Sequence, residues 1–196
     1  MEMLDLKSQK VIGGVGAILY VLGALPNVGF ALRLVGSILL LVSIYELAQK
    51  FALKKIFSNF LTGFIIHIVG IGVALVAAIL AGVGTFIKSS LYGYFPYPFW
   101  TLYNLGVSLL IPLLILYLCV AAGVYFYKES LSELSLKSGV PGFKTAGNLL
   151  FYGAITTIIV VGIFVMLAGW VVLSISFFSL PDKVEIQPSE PSSSSM

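Results

Sequence analysis

The sequence predicts an all-α, polytopic transmembrane helical bundle of about six spans. Composition is the first reason. Of 196 residues, 59% are hydrophobic and only 10% are charged, against roughly 45–50% and about 25% in a soluble domain. The mean hydropathy is +1.08. Charge placement is the second reason. Residues 11–32, 56–87, 89–127 and 145–181 carry no charge at all, runs of 22, 32, 39 and 37 residues. A membrane-spanning helix needs about 20 predominantly apolar residues, and every run supplies them. This excludes a soluble enzyme, a nucleic-acid binder and a disulfide scaffold. The net charge of +3 comes from short loops and carries no message about acidic partners.

The elements follow in chain order. Before Val11, Lys7 and Lys10 are balanced by Glu2 and Asp5, and Leu25-Pro26 stands where a signal peptide would end in small residues. The first apolar segment is therefore expected to stay in the protein. Pro26-Asn27 then breaks the segment, because proline disfavours helix at the residue before it. Two helices in a tight hairpin are expected, at about 8–25 and 28–48. Residues 57–88 and 100–127 each make one span. The 32 charge-free residues from Ile56 would reach about 48 Å as a helix, against a hydrocarbon core of about 30 Å. That helix must tilt or protrude. Lys128–Gly139, with Leu131 and Leu134, reads as a cytoplasmic helical extension that either binds a partner or lies on the membrane surface. Residues 145–180 would be about 54 Å long as one helix. Thr156-Thr157 and Gly162 mark a turn there; without it the count falls to five spans. Residues 1–180 thus form one domain, and 181–196, with three prolines and the Ser192–Ser195 run, a disordered polar tail.

An internal repeat favours the second turn. Gly29, Gly36 and Ser43 match Gly162, Gly169 and Ser176 at an offset of 133, and Gly16, Ala17, Gly23 and Ala24 match Ala146, Gly147, Gly153 and Ala154 at 130. The copies cover about 8–48 and 143–180, and would make similar hairpins. Six spans also suit the charges. With the N-terminus in the cytoplasm, inner segments hold Lys7, Lys10, Lys50, Lys54, Lys55, Lys128, Lys137, Lys144 and Lys183, while the outer side holds Arg33 and Lys88. Nine against two is a positive-inside bias, and places the chain in the cell membrane with both termini inside.

Four motifs carry a family resemblance: Gly13-Gly14-Val15-Gly16-Ala17-Ile18-Leu19, Leu41-Val42-Ser43-Ile44-Tyr45-Glu46-Leu47, Ile56-Phe57-Ser58-Asn59 and Phe143-Lys144-Thr145-Ala146-Gly147. Over most of residues 7–180 the chain resembles an archaeal family of integral membrane proteins, domain of unknown function 996. The resemblance implies a small multi-pass membrane protein and brings no catalytic or binding residues with it.

Three intramembrane polar residues are the candidates for chemistry. His67 falls on a stripe with Asn59, Gly63, Gly70, Ala74, Ala78 and Gly82 at spacings of three or four, so it is expected to face packed protein. An intramembrane histidine can serve a proton relay or a ligand. No acid shares its depth, which favours a neutral ring hydrogen-bonded to its neighbours. Arg33 lies about one and a half turns into the second span, where its stem lets the charge reach the outer interface. A contact to an anion or lipid phosphate is the sharper alternative. Asn104 and Ser108 precede Pro112, which removes the backbone bond to the Ser108 carbonyl and predicts a kink. Tyr92, Tyr94, Phe95, Tyr97, Phe99, Trp100 and Tyr103 form an outer aromatic belt, and Tyr125, Phe126 and Tyr127 its inner counterpart. One cysteine, Cys119, excludes a disulfide within the chain. No catalytic residue, cofactor or metal site is expected.

Two functions remain. The first is a non-enzymatic assembly or accessory component, held by small-residue seams and partnered by the lipid bilayer, by itself or by other membrane proteins. The second is a small transporter or channel for an ion or small solute, lined by Asn59, His67, Asn104, Ser108, Thr156 and Thr157. A pore normally gathers several polar groups at one depth, and this chain offers few. An intramembrane enzyme would need an acid pair or a His–acid pair at membrane depth, and neither is present in the sequence.

Overall fold

A computed structural model of the chain describes residues 3–91 and 98–185. Among these residues, six α-helices follow in order: α1 Lys7–Leu22, α2 Gly29–Lys50, α3 Lys54–Leu91, α4 Pro98–Ser138, α5 Gly142–Ile155 and α6 Val161–Phe178. Each packs on the next and α6 returns to α1, so the six close into a ring. The α3–α4 pairing is the most extensive and the α2–α3 pairing the loosest of the ring. This is the expected bundle. Helix length corrects the span count. α2, α3, α4 and α6 are long and apolar enough to cross a membrane. With 16 and 14 residues, α1 and α5 reach about 24 and 21 Å, short of a hydrocarbon core of about 30 Å.

The turns explain how short helices suit an apolar setting. Between α1 and α2, Asn27 takes the left-handed conformation at φ 70°, which asparagine tolerates better than most residues. Between α5 and α6, a single 3₁₀ turn, Thr156–Ile158, precedes Ile159 and Val160. Ile158, Ile159 and Val160 are all exposed. Thr156 Oγ1 donates to Tyr152 O and Thr157 Oγ1 to Gly153 O, both at 2.8 Å, while the Tyr117 hydroxyl donates to Ile155 O at 3.0 Å. The threonines that signal the turn thus also occupy its carbonyls. Backbone without water needs such partners.

Glycines set the closeness of each hairpin. A Cβ on Gly36 would stand 2.6 Å from the Tyr20 backbone nitrogen and 2.7 Å from Gly16 O; one on Gly169 would stand 3.0 Å from Leu150. Gly23 abuts Gly29 in the first hairpin, and Gly153 abuts Gly162 in the second: their added Cβ atoms would lie 3.1 and 3.0 Å from the facing glycine oxygen. These are backbone-to-backbone contacts that only glycine allows.

The core gathers at the end of the ring where Met3–Asp5 meets Lys183–Glu185, and there Leu6, Ile44, Leu47, Ile56, Leu131 and Phe143 are fully buried. Helix α4 continues unbroken to Ser138. The expected helical extension is therefore present, but Leu131 and Leu134 enter this core instead of being left for a partner or a membrane surface. Ser130 Oγ donates to Ile56 O at 2.7 Å and Lys55 pairs with Glu133 at 2.7 Å. Gln9, 3% exposed, donates to Glu46 and accepts from Lys50 at 2.8 Å. Two strands, β1 Met3–Asp5 and β2 Lys183–Glu185, pair antiparallel with Leu4 opposite Val184. The tail expected to be disordered from Pro181 accordingly begins with an ordered strand, anchored by Lys10 to Asp182 at 3.1 Å. Residues 186–196 lie outside the described residues.

At the other end, α3 and α4 outrun their neighbours. Leu75, Leu80, Leu110 and Ile111 are exposed, because past Ala74 and Tyr117 these two helices pack mainly on each other. Pro112 sits inside α4 without ending it. Ser108 Oγ donates to Leu105 O at 2.9 Å and meets Thr85 Oγ1 at 3.1 Å, so its hydroxyl joins the two helices.

Candidate functional site

His67 is placed by the small residues around it. Gly63, Gly70 and Ala74 on α3 are buried; Gly63 lies against Gly123 and Tyr127, and Gly70 against Cys119. This is the expected stripe as far as Ala74. Beyond it the buried position is Thr85, while Gly82 meets nothing within 4 Å. The imidazole fills the space over Gly123, where a Cβ would strike the ring. Its Nδ1 is 3.0 Å from Gly63 O. A carbonyl only accepts, so Nδ1 carries the hydrogen.

The ring of His67 opens a run of aromatic contacts through the middle of the bundle. It stacks on Tyr127 with centroids 5.4 Å apart. Tyr127 also meets Phe60 at 4.6 Å and the edge of Trp170 at 6.3 Å. Trp170 lies 4.1 Å from Tyr20, and the Arg33 guanidinium sits over the Tyr20 ring at 5.2 Å. Five helices contribute: α3 His67, α4 Tyr127, α6 Trp170, α1 Tyr20 and α2 Arg33. Each aromatic pair is worth about 0.5–1.5 kcal/mol beyond its burial, and the cation–π contact about 0.5–1 kcal/mol or more. Arg33 and His67 thus stand at the two ends of one column. Asn104 does not join them. It is an exposed residue on α4, 19 positions from Gly123 and so about 28 Å along the helix.

Tyr20, Tyr127 and Trp170 were not among the sequence candidates. Tyr127 was expected to be part of the inner aromatic anchor; it is instead 5% exposed, while Tyr125 is 45% exposed. The signal was in the spacing. Val120, Val124, Tyr127, Leu131 and Leu134 recur at steps of four, three, four and three, the interval of one helix face. Of the outer belt, Tyr92, Tyr94, Phe95 and Tyr97 lie outside the described residues, and Phe99 and Tyr103 are exposed on α4. Among the described residues, no group of three or more His, Cys, Asp and Glu side chains is placed to hold a metal ion.

Four of the six helices in this ring are long and apolar enough to cross a membrane, the architecture of an all-α helical bundle suited to a bilayer. Residues 32–171 match the family described as protein of unknown function (DUF996), and the chain belongs to it. An uncharacterised protein of Methanocaldococcus jannaschii is 27% identical over 185 residues, covering 94% of this chain and 98% of that relative. No solved structure matches the chain.

Proposed function

We propose that this protein is a non-enzymatic assembly or accessory component of the cell membrane, with both termini in the cytoplasm. One observation carries the reading: the polar side chains of His67, Arg33, Ser108, Thr156 and Thr157 are spent on packing within the bundle. His67 bonds Gly63 O and stacks on Tyr127. Arg33 covers Tyr20. Thr156 and Thr157 cap their own helix, and Ser108 joins α4 to α3. A solute path needs polar groups converging at one depth, and Asn104 stands about 28 Å of helix from the imidazole level. The surface that remains is apolar and suits lipid or another helix.

The test is reconstitution. Proteoliposomes should be no more permeable to protons, potassium or small neutral solutes than protein-free vesicles. A saturable flux that His67→Gln abolishes would establish the transporter reading in its place.

A further inference from the structure

The loosest joint of the ring leaves a cleft between α2 and α3 at the end where the two strands β1 and β2 pair. Its volume is about 740 Å³, and Tyr45, Gln49, Lys54, Phe57, Ser58 and Leu61 line it. Tyr45 of α2 meets the edge of Phe57 of α3, centroids 5.0 Å apart, and forms an apolar wall. The rim is polar: Gln49 Nε2 donates to the Tyr45 hydroxyl at 2.7 Å.

Charge decides what fits. Three lysines surround the α2–α3 turn. Lys50 is held by Gln9 and the Asp5 carbonyl, and Lys55 by Glu133. Lys54 lines the cleft, is exposed, and among the described residues has no acid partner. Glu46, the one acid on α2, is turned to Gln9 on α1. As the first residue of α3, Lys54 also stands at the positive end of that helix dipole. An apolar wall below an unpaired cation, beside the turn that carries Lys50, Lys54 and Lys55, matches an amphiphile with a negative head. Basic pockets between helices on the cytoplasmic side bind anionic lipid headgroups in this way.

We propose that the α2–α3 cleft is a binding site for one anionic phospholipid. The phosphate meets the Lys54 ammonium and the Gln49–Tyr45 rim, and a hydrocarbon chain lies along Phe57 and Leu61. The proposal rests on the membrane reading above, yet its failure is separable, because the lipid test needs only folded protein in detergent.

Native mass spectrometry of the purified protein, given equal phosphatidylglycerol and phosphatidylcholine with the same acyl chains, tests it. The wild type should retain one phosphatidylglycerol and at least fivefold less phosphatidylcholine. Lys54→Gln should lower phosphatidylglycerol retention at least fivefold, and so should Ser58→Phe, which fills the cleft. Lys88→Gln, at the far end of α3, should leave it within twofold. Lys54 is exposed, so its variant should elute as the wild type does and stands as the decisive arm if Ser58→Phe fails to fold. Equal retention of the two lipids, or full retention by Lys54→Gln or by folded Ser58→Phe, overturns the site.

Discussion

The imidazole of His67 lies face to face with the ring of Tyr127, centroids 5.4 Å apart and planes 12° from parallel. A lone intramembrane histidine invites a catalytic or proton-carrying role, yet this one is clamped between a stacked ring, the Gly63 carbonyl and Gly123. The ring fills the space over Gly123 and its Nδ1 hydrogen meets the Gly63 carbonyl, which supports the proposal of a packing role.

His67→Gln should therefore fold and retain any native activity, because glutamine can still donate to Gly63 O. It loses the stack, so a cost on the order of 1 kcal/mol is expected. Gly123→Ala should cost more, since the added methyl occupies the ring's place. Thermal melts in detergent would rank the two; an unaltered Gly123→Ala protein would contradict this packing.

The glycine seams give an ordered series. Gly36→Leu and Gly169→Leu should each destabilise by overpacking, by about 1–3 kcal/mol, with Gly36 the worse. Its neighbours are the Tyr20 and Gly16 backbones, whereas Gly169 faces the Leu150 side chain as well as its backbone, and a side chain can yield. Val35→Leu and Val171→Leu, at positions 49% and 47% exposed, should change little. Thermal aggregation midpoints of the four variants give the comparison. Equal midpoints would remove both seams, and with them the proposal that the two hairpins are copies of one unit.

Ala52 carries a backbone cost of its own. It closes α2 in the left-handed conformation at φ 53°, with Leu53 N bonded to Ala48 O at 2.9 Å and Ala52 N to Gln49 O at 3.0 Å. Glycine is the usual residue at such a helix end, and the conformation costs other L-residues roughly 1–2 kcal/mol. Ala52→Gly should raise stability by about 1 kcal/mol, less whatever flexibility it adds to the unfolded chain. A fall in the melting midpoint would show that the methyl group matters to the α2–α3 cleft, whose lining includes Ala52.

Much of this fold was legible because hydrophobic length and helix punctuation act locally. Pro26-Asn27 and Thr156-Thr157 break apolar runs that would otherwise be too long, and the helix ends fall at Leu22 and Ile155. The length of α1 and α5 was less legible, since lipid-facing and turn residues there are equally apolar. The strand pairing of Met3–Asp5 with Lys183–Glu185 was hidden, because a contact between the chain ends leaves no periodicity in either. The aromatic column was missed for a related reason. Tyr20, Tyr127 and Trp170 come from three helices, and only the closed ring brings them together.

Embedding across a bilayer with both termini inside underlies the functional proposal, and single-cysteine labelling in intact cells measures it directly. Cys119 is replaced by Ser, and cysteines are placed one at a time at Ser90 and Leu136. Leu136, 76% exposed on the last turns of α4, is the better inner reporter, because neighbouring Ser138 is buried. A membrane-impermeant maleimide should label position 90 in intact cells and reach position 136 only after lysis. Labelling of 136 in intact cells with 90 protected would invert the orientation, and equal labelling of both before lysis would contradict a membrane-spanning α3–α4 pair.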